Sequence, residues 1–451
     1  MNLIKLRARI GAVLVAFAAG LAVSGAAQAQ SLFLPATASE SAAVAGRSPS
    51  QHAKRSRLVR LDANVLASRI APLNADNDAD RAERAARLPD TLRLNLFDDV
   101  TPTLKRTSVS ARAAGGYTWE GIVPGQAIHE ALLSVKNGQI SGRVQLNNKL
   151  FSIDPVAGAT HWITEVDSSS FPPEAPPRVR PQNRTESTQP APKPADGASE
   201  AAEAATIVRV LVAYTTRARQ EAGGTAGMEA KIDQAIDLAN QAYARGGIPM
   251  RLRLAGSMAV PYNEGNGTPD RFGTNLEDLT DGQQFATVRT RRNQTNADLV
   301  ALLRSDPANC GTQCVCGLAW FPGGGAMPTP SAATRETGFS VTAHGCITNL
   351  SFHHELGHNM GLNHDRYVSN PAGTSIYNFG FVNFQKRVRT IMAYNNYCAE
   401  RGQNCTRINW FSSPTIRATG DVVIGRARNT AGAADNTLRL KQTRTPISQY
   451  E

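Results

Sequence analysis

Cysteine is missing from the first 309 residues of this 451-residue chain, and all six cysteines follow. This excludes a disulfide framework from the first two thirds of the chain. The cysteines contain no pair of CxxC units, so they do not match a zinc ribbon. An even number is typical of disulfides in an exported protein. The pairs we expect are Cys398–Cys405, which enclose a short polar loop, and then Cys316–Cys346 and Cys310–Cys314, although other pairings stay open.

Blocks of consecutive basic residues are also missing, although the formal net charge is +11. The strongest cluster is QKRVR, from Gln385 to Arg389, and the other arginines are scattered. Scattered charges of this kind are typical of a solvated surface. We therefore expect no nucleic-acid partner.

Long apolar runs are absent after the first 23 residues. The one run, from Ile10 to about Val23, follows three basic residues and precedes the small-residue site Ala27-Gln28-Ala29. This pattern predicts a secretory signal peptide over residues 1–29, the alternative being a retained N-terminal helix. We expect no membrane contact after cleavage.

Glycine-aspartate nonapeptides, which bind calcium in β-rolls, are absent as well. Calcium binding stays possible but has no motif to support it.

The remaining chain divides into three blocks. Residues 30–170 contain alternating stretches such as TLRLNLF, which places Leu92, Leu94 and Leu96 on one face of a strand, and a hairpin around Asn147-Asn148. Residues 171–205 are rich in proline and alanine, cannot bury a core, and are expected to be a linker with a processing site. Residues 206–451 have the length of a separate α/β or α+β domain.

Within the third block, alternation and helical spacing predict individual elements. IVRVLVAY (207–214), MRLRLAGSMAV (250–260), CGLAWF (316–321) and GFSVTAH (338–344) are expected strands. MEAKIDQAIDLANQAYARGG is an expected helix that ends at Gly246-Gly247, and ADLVALLR (297–304) is expected to be a short helix.

The stretch SFHHELGHNMGLNHDR carries the chemistry. Two histidines, His354 and His358, are four residues apart on an expected helix, so both imidazoles share one face. Glu355 lies beside the first, and Gly361 lets the chain turn sharply enough to bring His364 back as a third ligand. Three protein ligands leave one position for water, which is typical of a catalytic zinc site. His353 is out of register and is expected to be a packing residue.

HELGHNMGLNH (354–364) resembles the long zinc signature of the metzincin metallopeptidases. Asp365 after the third histidine is similar to the reprolysin branch, and RTIMAY (389–394) resembles the Met-turn. CAERGQNCTRINWFSSP and DNTLRLKQTRTPISQ resemble the bacterial peptidyl-Asp metallopeptidases. The resemblance covers residues 206–451, whereas the preceding block carries no motif of this kind and its position suggests a propeptide.

The resemblance implies an α+β fold. The catalytic domain would have a twisted mixed sheet with active-site and backing helices, and a smaller subdomain after the third histidine. A β-rich propeptide would precede it. One zinc per chain would be held by His354, His358 and His364. Glu355 would be the general base and then the proton donor, and Tyr394 would stabilise the oxyanion or pack in the core.

The resemblance also implies supporting and substrate-binding roles. Met392 would lie beneath the metal, while Gly361 and Asp365 would be structural. Substrate would lie along the edge strand at Gly317, Leu318 and Ala319. Arg389 is the first candidate for gripping an acidic side chain, before Lys386 and Arg387.

Taken together, the sequence predicts a monomeric zinc endopeptidase that is made as a precursor and cuts proteins or peptides on the amino side of aspartate or glutamate. We expect it to be secreted and extracellular, although a periplasmic location gives the same pattern. The alternatives are a non-catalytic zinc protein on the same fold and a zinc hydrolase with a non-peptide substrate. Residues 30–205 hold no cysteine that could silence the metal, so latency would need another ligand or a blocked cleft.

Overall fold

The computed structural model describes residues 31–62, 88–112, 115–180, 205–307 and 310–450. The expected signal peptide lies outside these ranges, as do residues 181–204 of the expected linker. Among the described residues, no helix has the length and apolar character needed to cross a membrane.

The N-terminal part forms one nine-stranded antiparallel sheet, called here the N-terminal sheet, with the order β1-β2-β9-β8-β7-β6-β5-β4-β3. Its strands are β1 (Phe33–Pro35), β2 (Ala53–Leu61), β3 (Thr91–Arg93), β4 (Thr103–Ala111), β5 (Tyr117–Ile122), β6 (His129–Lys136), β7 (Gln139–Leu146), β8 (Lys149–Ala157) and β9 (Thr160–Val166). Helix α1 (Ala38–Ala43) lies between the first two strands.

This sheet curls around a core of its own. A bridge between Ser31 and Arg93 joins the two ends of the sheet. The expected apolar face, Leu92 to Leu96, is buried in that core, although only part of the stretch is strand. The hairpin expected around Asn147 is also present, since β7 and β8 pair across that turn and Asn147 adopts a positive φ.

The C-terminal part is built on a six-stranded mixed sheet with the order β10-β14-β15-β13-β11-β12. Its strands are β10 (Arg178–Val179), β11 (Thr206–Thr215), β12 (Met250–Val260), β13 (Leu299–Arg304), β14 (Gly317–Phe321) and β15 (Phe339–Ala343). Strands β12, β11, β13 and β15 run parallel, whereas β14 is antiparallel to β15.

The prediction of a helix over 297–304 was wrong, because these residues form strand β13. β13 pairs with β11 on one side and β15 on the other, and every one of its residues is buried. Central parallel strands are covered on both faces, so their sequences are continuous runs of apolar residues. Such a short run does not distinguish a strand from a buried helix in the sequence.

Helices cover both faces of this sheet. They are α2 (Thr216–Glu221), α3 (Thr225–Arg245), α4 (Pro269–Asp281), α5 (Ala286–Thr295), α6 (Ser351–Asn359), α7 (Arg366–Ser369), α8 (Asn396–Ala399) and α9 (Asn436–Ile447). Helices α3 and α6 pack in the core on one face, and α4 and α5 pack in the core on the other. The structure therefore mixes an antiparallel sheet with a helix-covered mixed sheet, which agrees with the expected fold class at this level.

Short strands and one of the three disulfides lie in the chain after α6. The strands are β16 (Val382–Asn383), β17 (Val388–Arg389), β18 (Thr406–Arg407), β19 (Ser413–Ala418) and β20 (Val422–Ile424). The three disulfides are Cys310–Cys314, Cys316–Cys346 and Cys398–Cys405, as expected. The last of these closes the loop that leads into β18.

Helix α3 is shared by the two parts of the molecule. One face packs on the mixed sheet, and the other lies against β6, β7 and β8 of the N-terminal sheet. Ion pairs cross this contact, among them Arg245–Glu130 at 2.6 Å and Lys231–Asp154 at 2.5 Å. The N-terminal sheet is thus attached to the side of the C-terminal part that carries α6.

Candidate metal centre

Helix α6 and the turn after it bring three imidazoles together. The Nε2 atom of His364 lies 3.0 Å from Nε2 of His358 and 3.1 Å from Nε2 of His354. The helix ends at Met360, and Gly361 takes a φ of +81°, with the Pro328 carbonyl where a Cβ would lie. Glycine is the residue that adopts this conformation without strain, which is why the chain can return to the helix here.

Nδ1 of His354 and Nδ1 of His358 each contact a backbone carbonyl, and Nε2 of each faces the cluster. Nδ1 of His354 lies 2.9 Å from the Ile391 carbonyl, and Nδ1 of His358 lies 2.8 Å from the Leu362 carbonyl. A carbonyl only accepts, so Nδ1 of His358 carries the hydrogen and its Nε2 presents a lone pair. Nδ1 of His354 also lies 2.6 Å from Nη2 of Arg407, which only donates, so its carbonyl contact does not assign the hydrogen. Burial lowers the pKa of His358 to about 4 and holds the pKa values of the other two imidazoles well below their ordinary value. Neutral imidazoles are the form that binds a metal.

Glu355 lies beside this cluster with both carboxylate oxygens buried. Neither oxygen has a hydrogen-bond partner within the described part of the chain. Burial raises the pKa of Glu355 well above its ordinary value, and the nearby Glu174 carboxylate raises it further. Gly317 of β14 faces it, since a Cβ there would lie 2.3 Å from Oε1 of Glu355. A carboxylate in this position can exchange protons with a group held at the imidazoles.

The segment after the third histidine supports the cluster from below. Met392 is fully buried and packs under Gly357 of α6, where a Cβ would lie 2.9 Å from its sulfur. Asp365 accepts a 2.8 Å hydrogen bond from the Tyr394 backbone amide. The Tyr394 ring lies against the His364 ring in a tilted arrangement, with ring centroids 4.1 Å apart. Asp365 therefore connects the segment carrying Tyr394 to the last histidine of the cluster.

His353 points away from this cluster, as the register predicted. Its Nε2 lies 2.9 Å from Oδ1 of Asn409, in the core between α6 and α3. Burial lowers the pKa of His353 to about 3, so it is a neutral packing residue.

Arg389 is buried on β17, and its guanidinium binds the backbone. Its Nε donates to the Cys405 carbonyl at 3.2 Å, and its Nη1 donates to the Ala393 carbonyl at 2.6 Å. The guanidinium thus joins the turn around Met392 to the loop closed by the last disulfide. Its role in binding an acidic side chain stays a prediction, and in this structure it contacts no carboxylate at salt-bridge distance among the described residues.

The edge strand β14, expected to bind substrate, is covered by residues 173–179 of the chain itself. The Cys316 amide donates to the Pro173 carbonyl at 2.9 Å, and the Ala175 amide donates to the Gly317 carbonyl at 2.8 Å. Further along, β10 pairs with β14 in parallel. The sequence did not indicate this contact, although its prolines favour an extended chain that can lie along an edge.

Glu174 and Arg407 form an ion pair inside the cleft that the sequence did not indicate. Oε1 of Glu174 accepts from Nη1 of Arg407 at 2.5 Å and from the Ser351 hydroxyl at 2.6 Å. The Arg407 guanidinium also touches the His354 imidazole. Burial raises the pKa of Glu174, but Arg407, His354 and the Ser351 hydroxyl together outweigh burial and hold that pKa well below its usual range. Only the pairing of β18 with β17 brings Arg407 here.

A large cavity of about 710 Å³ lies elsewhere, between the N-terminal sheet and the C-terminal part. It is lined by residues such as Arg47, Asp154 and His344, and none of the three clustered histidines borders it.

Three neutral, buried imidazoles beside an unpaired carboxylate, on a mixed sheet with covering helices, are the features of a metallopeptidase. Nitrogen ligands of this kind suit zinc. Residues 204–429 match the family described as metallo-peptidase family M12B, reprolysin-like. The chain belongs to this family, and it is a zinc metalloendopeptidase whose substrates are proteins or peptides.

Two bacterial relatives match this chain over most of its length. A peptidyl-Asp metalloendopeptidase of Stenotrophomonas maltophilia (strain R551-3) is 28% identical over 452 residues, covering 96% of this chain and 96% of the relative. One of Xanthomonas campestris pv. campestris is 26% identical over 397 residues, covering 84% and 87%. The crystal structure of metalloproteinase-II from Bacteroides fragilis aligns with 65% of this chain and 88% of its own at 13% identity, but its TM-score of 0.37 adds nothing to the assignment.

Proposed function

We propose that this chain is a secreted zinc endopeptidase, made as a precursor, that cuts on the amino side of aspartate and, less readily, glutamate. The observation that carries the peptidase chemistry is the convergence of three Nε2 atoms beside the unpaired Glu355 carboxylate. The acidic preference is supported by relatives that are named peptidyl-Asp metalloendopeptidases. Three disulfides and the expected signal peptide support export.

His354, His358 and His364 would hold the zinc, because each faces the others through a buried Nε2. Zinc, when bound, supplies Lewis-acid polarisation of the scissile carbonyl and lowers the pKa of water. Glu355 would accept a proton from the attacking water and hand it to the leaving amine. Tyr394 would donate its hydroxyl to the developing oxyanion, since its ring lies against His364.

The remaining proposed roles are structural support of the site and binding of the substrate. Met392, Gly361 and Asp365 would hold the turn and the floor of the site, through the contacts described above. Substrate would pair with β14 at Gly317, Leu318 and Ala319, which would form the edge of the C-terminal sheet once residues 173–179 leave it. Arg389 would add positive charge near the pocket, although its guanidinium already binds backbone carbonyls.

The domain arrangement is also a proposal. Residues 1–29 would be the signal peptide, 30–170 a β-rich propeptide, 171–205 the linker with its processing site, and 206–451 the catalytic domain with a small subdomain after His364. The placement of residues 173–179 along β14 supports latency by a blocked cleft. We propose a monomer that acts outside the cell.

Glu355→Gln tests the mechanism. The amide keeps the shape of the side chain but cannot accept a proton, so we expect unchanged zinc content and a loss of activity of roughly a hundredfold or more. Zinc is measured by atomic absorption, and activity is measured as hydrolysis of a denatured protein with and without a chelator.

Adjacent histidines provide a matched control. His354→Gln is expected to lose zinc, whereas His353→Gln, one residue earlier and outside the cluster, is expected to keep it. Near wild-type turnover in Glu355→Gln, or zinc retained in His354→Gln, would contradict the assignment.

A further inference from the structure

We propose that Arg407 is the residue that recognises the acidic side chain of the substrate, and that Glu174 occupies its pocket in the uncut chain. This rests on the proposed acidic preference. Glu174 is 2% exposed and Arg407 is 4% exposed, so the ion pair between them is shielded from water.

Backbone hydrogen bonds fix the position of Glu174. The residue before it accepts from the Cys316 amide, and the residue after it donates to Gly317. The Tyr394 hydroxyl donates to the carbonyl of Glu174 itself. These contacts direct the side chain inward from the edge strand, next to the glycine that faces Glu355. A side chain held in this way adjoins the reacting centre.

The pocket around the carboxylate is made by three elements of the C-terminal part. The start of α6 contributes the Ser351 hydroxyl, and the turn before Met392 contributes the Ile391 carbonyl, which accepts from Nε of Arg407 at 2.8 Å. Strand β18 contributes Arg407, whose Nη1 also donates to the Asn349 carbonyl at 3.0 Å. Fixed backbone acceptors aim the guanidinium at the position of the carboxylate.

The positive charge of Arg407 determines which substrate side chains this pocket binds. In the part of the chain that the structure describes, Glu174 is the only carboxylate at salt-bridge distance from Arg407. When residues 173–179 leave the cleft, a buried guanidinium stays behind without its partner, which is costly in a protein interior. An aspartate or glutamate side chain restores the pair, whereas an asparagine restores only part of the hydrogen bonding.

The substrate half of the proposal is tested on the chain after it has been cut in its linker. Two fluorogenic peptides, identical except for aspartate or asparagine at one position, are compared by kcat/KM. We expect Arg407→Gln to reduce the Asp-to-Asn ratio by about tenfold to a hundredfold, with both rates expressed per bound zinc. Arg407→Lys should recover part of the ratio. An unchanged ratio in zinc-loaded Arg407→Gln would overturn the assignment.

The second part of the test uses the uncut full chain and asks whether Glu174 occupies the pocket. It still tests the proposal if Arg407→Gln does not fold. Initial rates on the aspartate peptide are measured before any cleavage is visible on a gel. We expect Glu174→Gln to raise this rate roughly tenfold or more, since the neutral side chain no longer pairs with the arginine. Asp154→Asn is the matched control, because Asp154 pairs with Lys231 across the same interface but far from the pocket.

A rate for Glu174→Gln no higher than that for Asp154→Asn would overturn the proposal that Glu174 occupies the pocket. The wild type separates this inference from the proposed function. If the wild type itself hydrolyses both peptides equally, the proposed acidic preference fails. If the wild type prefers aspartate and both variants behave as the wild type, the preference stands and Arg407 is not its source.

Discussion

Gly317 lies where the edge strand passes the Glu355 carboxylate, and a single added carbon there is expected to affect the chemistry. A Cβ at this position would lie 2.3 Å from Oε1 of Glu355, so the carboxylate would have to move. We expect Gly317→Ala to reduce kcat by roughly tenfold to a hundredfold, because proton transfer depends on the position of the carboxylate. Zinc content should not change, since the three histidines lie on other elements.

Gly324 provides the control for this substitution. It follows the same strand, its φ is not positive, and a Cβ there meets nothing within 4 Å. Gly324→Ala should therefore retain wild-type kcat. Equal activity of the two variants would show that Gly317 does not determine the position of Glu355.

Two arginines near the three histidines show that residue type alone does not predict which arginine binds a carboxylate. Arg389 and Arg407 are both buried basic residues, and only Arg389 lies beside the Met-turn in the sequence. In the folded chain, Arg389 donates to the carbonyls of Cys405 and Ala393, whereas Arg407 holds the Glu174 carboxylate. The difference comes from the parallel pairing of β17 with β18, which a motif does not encode.

At the scale of elements, the Cys316–Cys346 disulfide connects the substrate edge to the helix that carries the histidines. Cys316 precedes β14, Cys346 lies shortly before α6, and both are fully buried. Replacing both with alanine is expected to cost about 3–4 kcal/mol of unfolding free energy, the scale for a loop of this length. Denaturant unfolding of the zinc-loaded chain measures the change.

The Cys310–Cys314 disulfide is the internal comparison, because it closes a loop with a sequence separation of 4 rather than 30. Its removal should cost about 2 kcal/mol or less. A larger loss from the short loop than from the long one would contradict this account of the two bridges.

At the scale of the whole molecule, the N-terminal part is held over the catalytic cleft by charge pairs along α3 and by the pairing of β10 with β14. Residues 173–179 cover the strand on which we propose that substrate binds, so the proposed activity requires their removal from β14. We therefore expect the precursor to be cut between about Phe171 and Thr206, by itself or by another protease, and N-terminal sequencing of the secreted form measures the site.

A mature chain that begins inside the IVRVLVAY strand would contradict this prediction. The first residues of β11 pair with both β12 and the C-terminal helix region, so losing them would open the central sheet. A secreted form that is fully active without any cut would also contradict it, because the edge strand would then have to accept substrate while covered.

The sequence by itself determined the clustering of three histidines and several elements of this protein. The spacing of His354, His358 and His364 is local, since a helix and one glycine turn bring the imidazoles together. Helix α3 and strands β11 and β12 followed from periodicity in the same way. The three disulfides are the expected pairs, although the sequence left other pairings of the first four cysteines open.

Only the tertiary structure decided what β13 is and what fills the cleft. The apolar run of β13 is compatible with either a buried helix or a central strand. Its parallel pairing with β11 and β15 makes it a strand. Glu174 and Arg407 are 233 residues apart, and their contact depends on a strand edge, a helix start and a disulfide-closed loop meeting at one place. Such a contact has no local period or motif, because the energy that forms it comes from pairing distant parts of the chain.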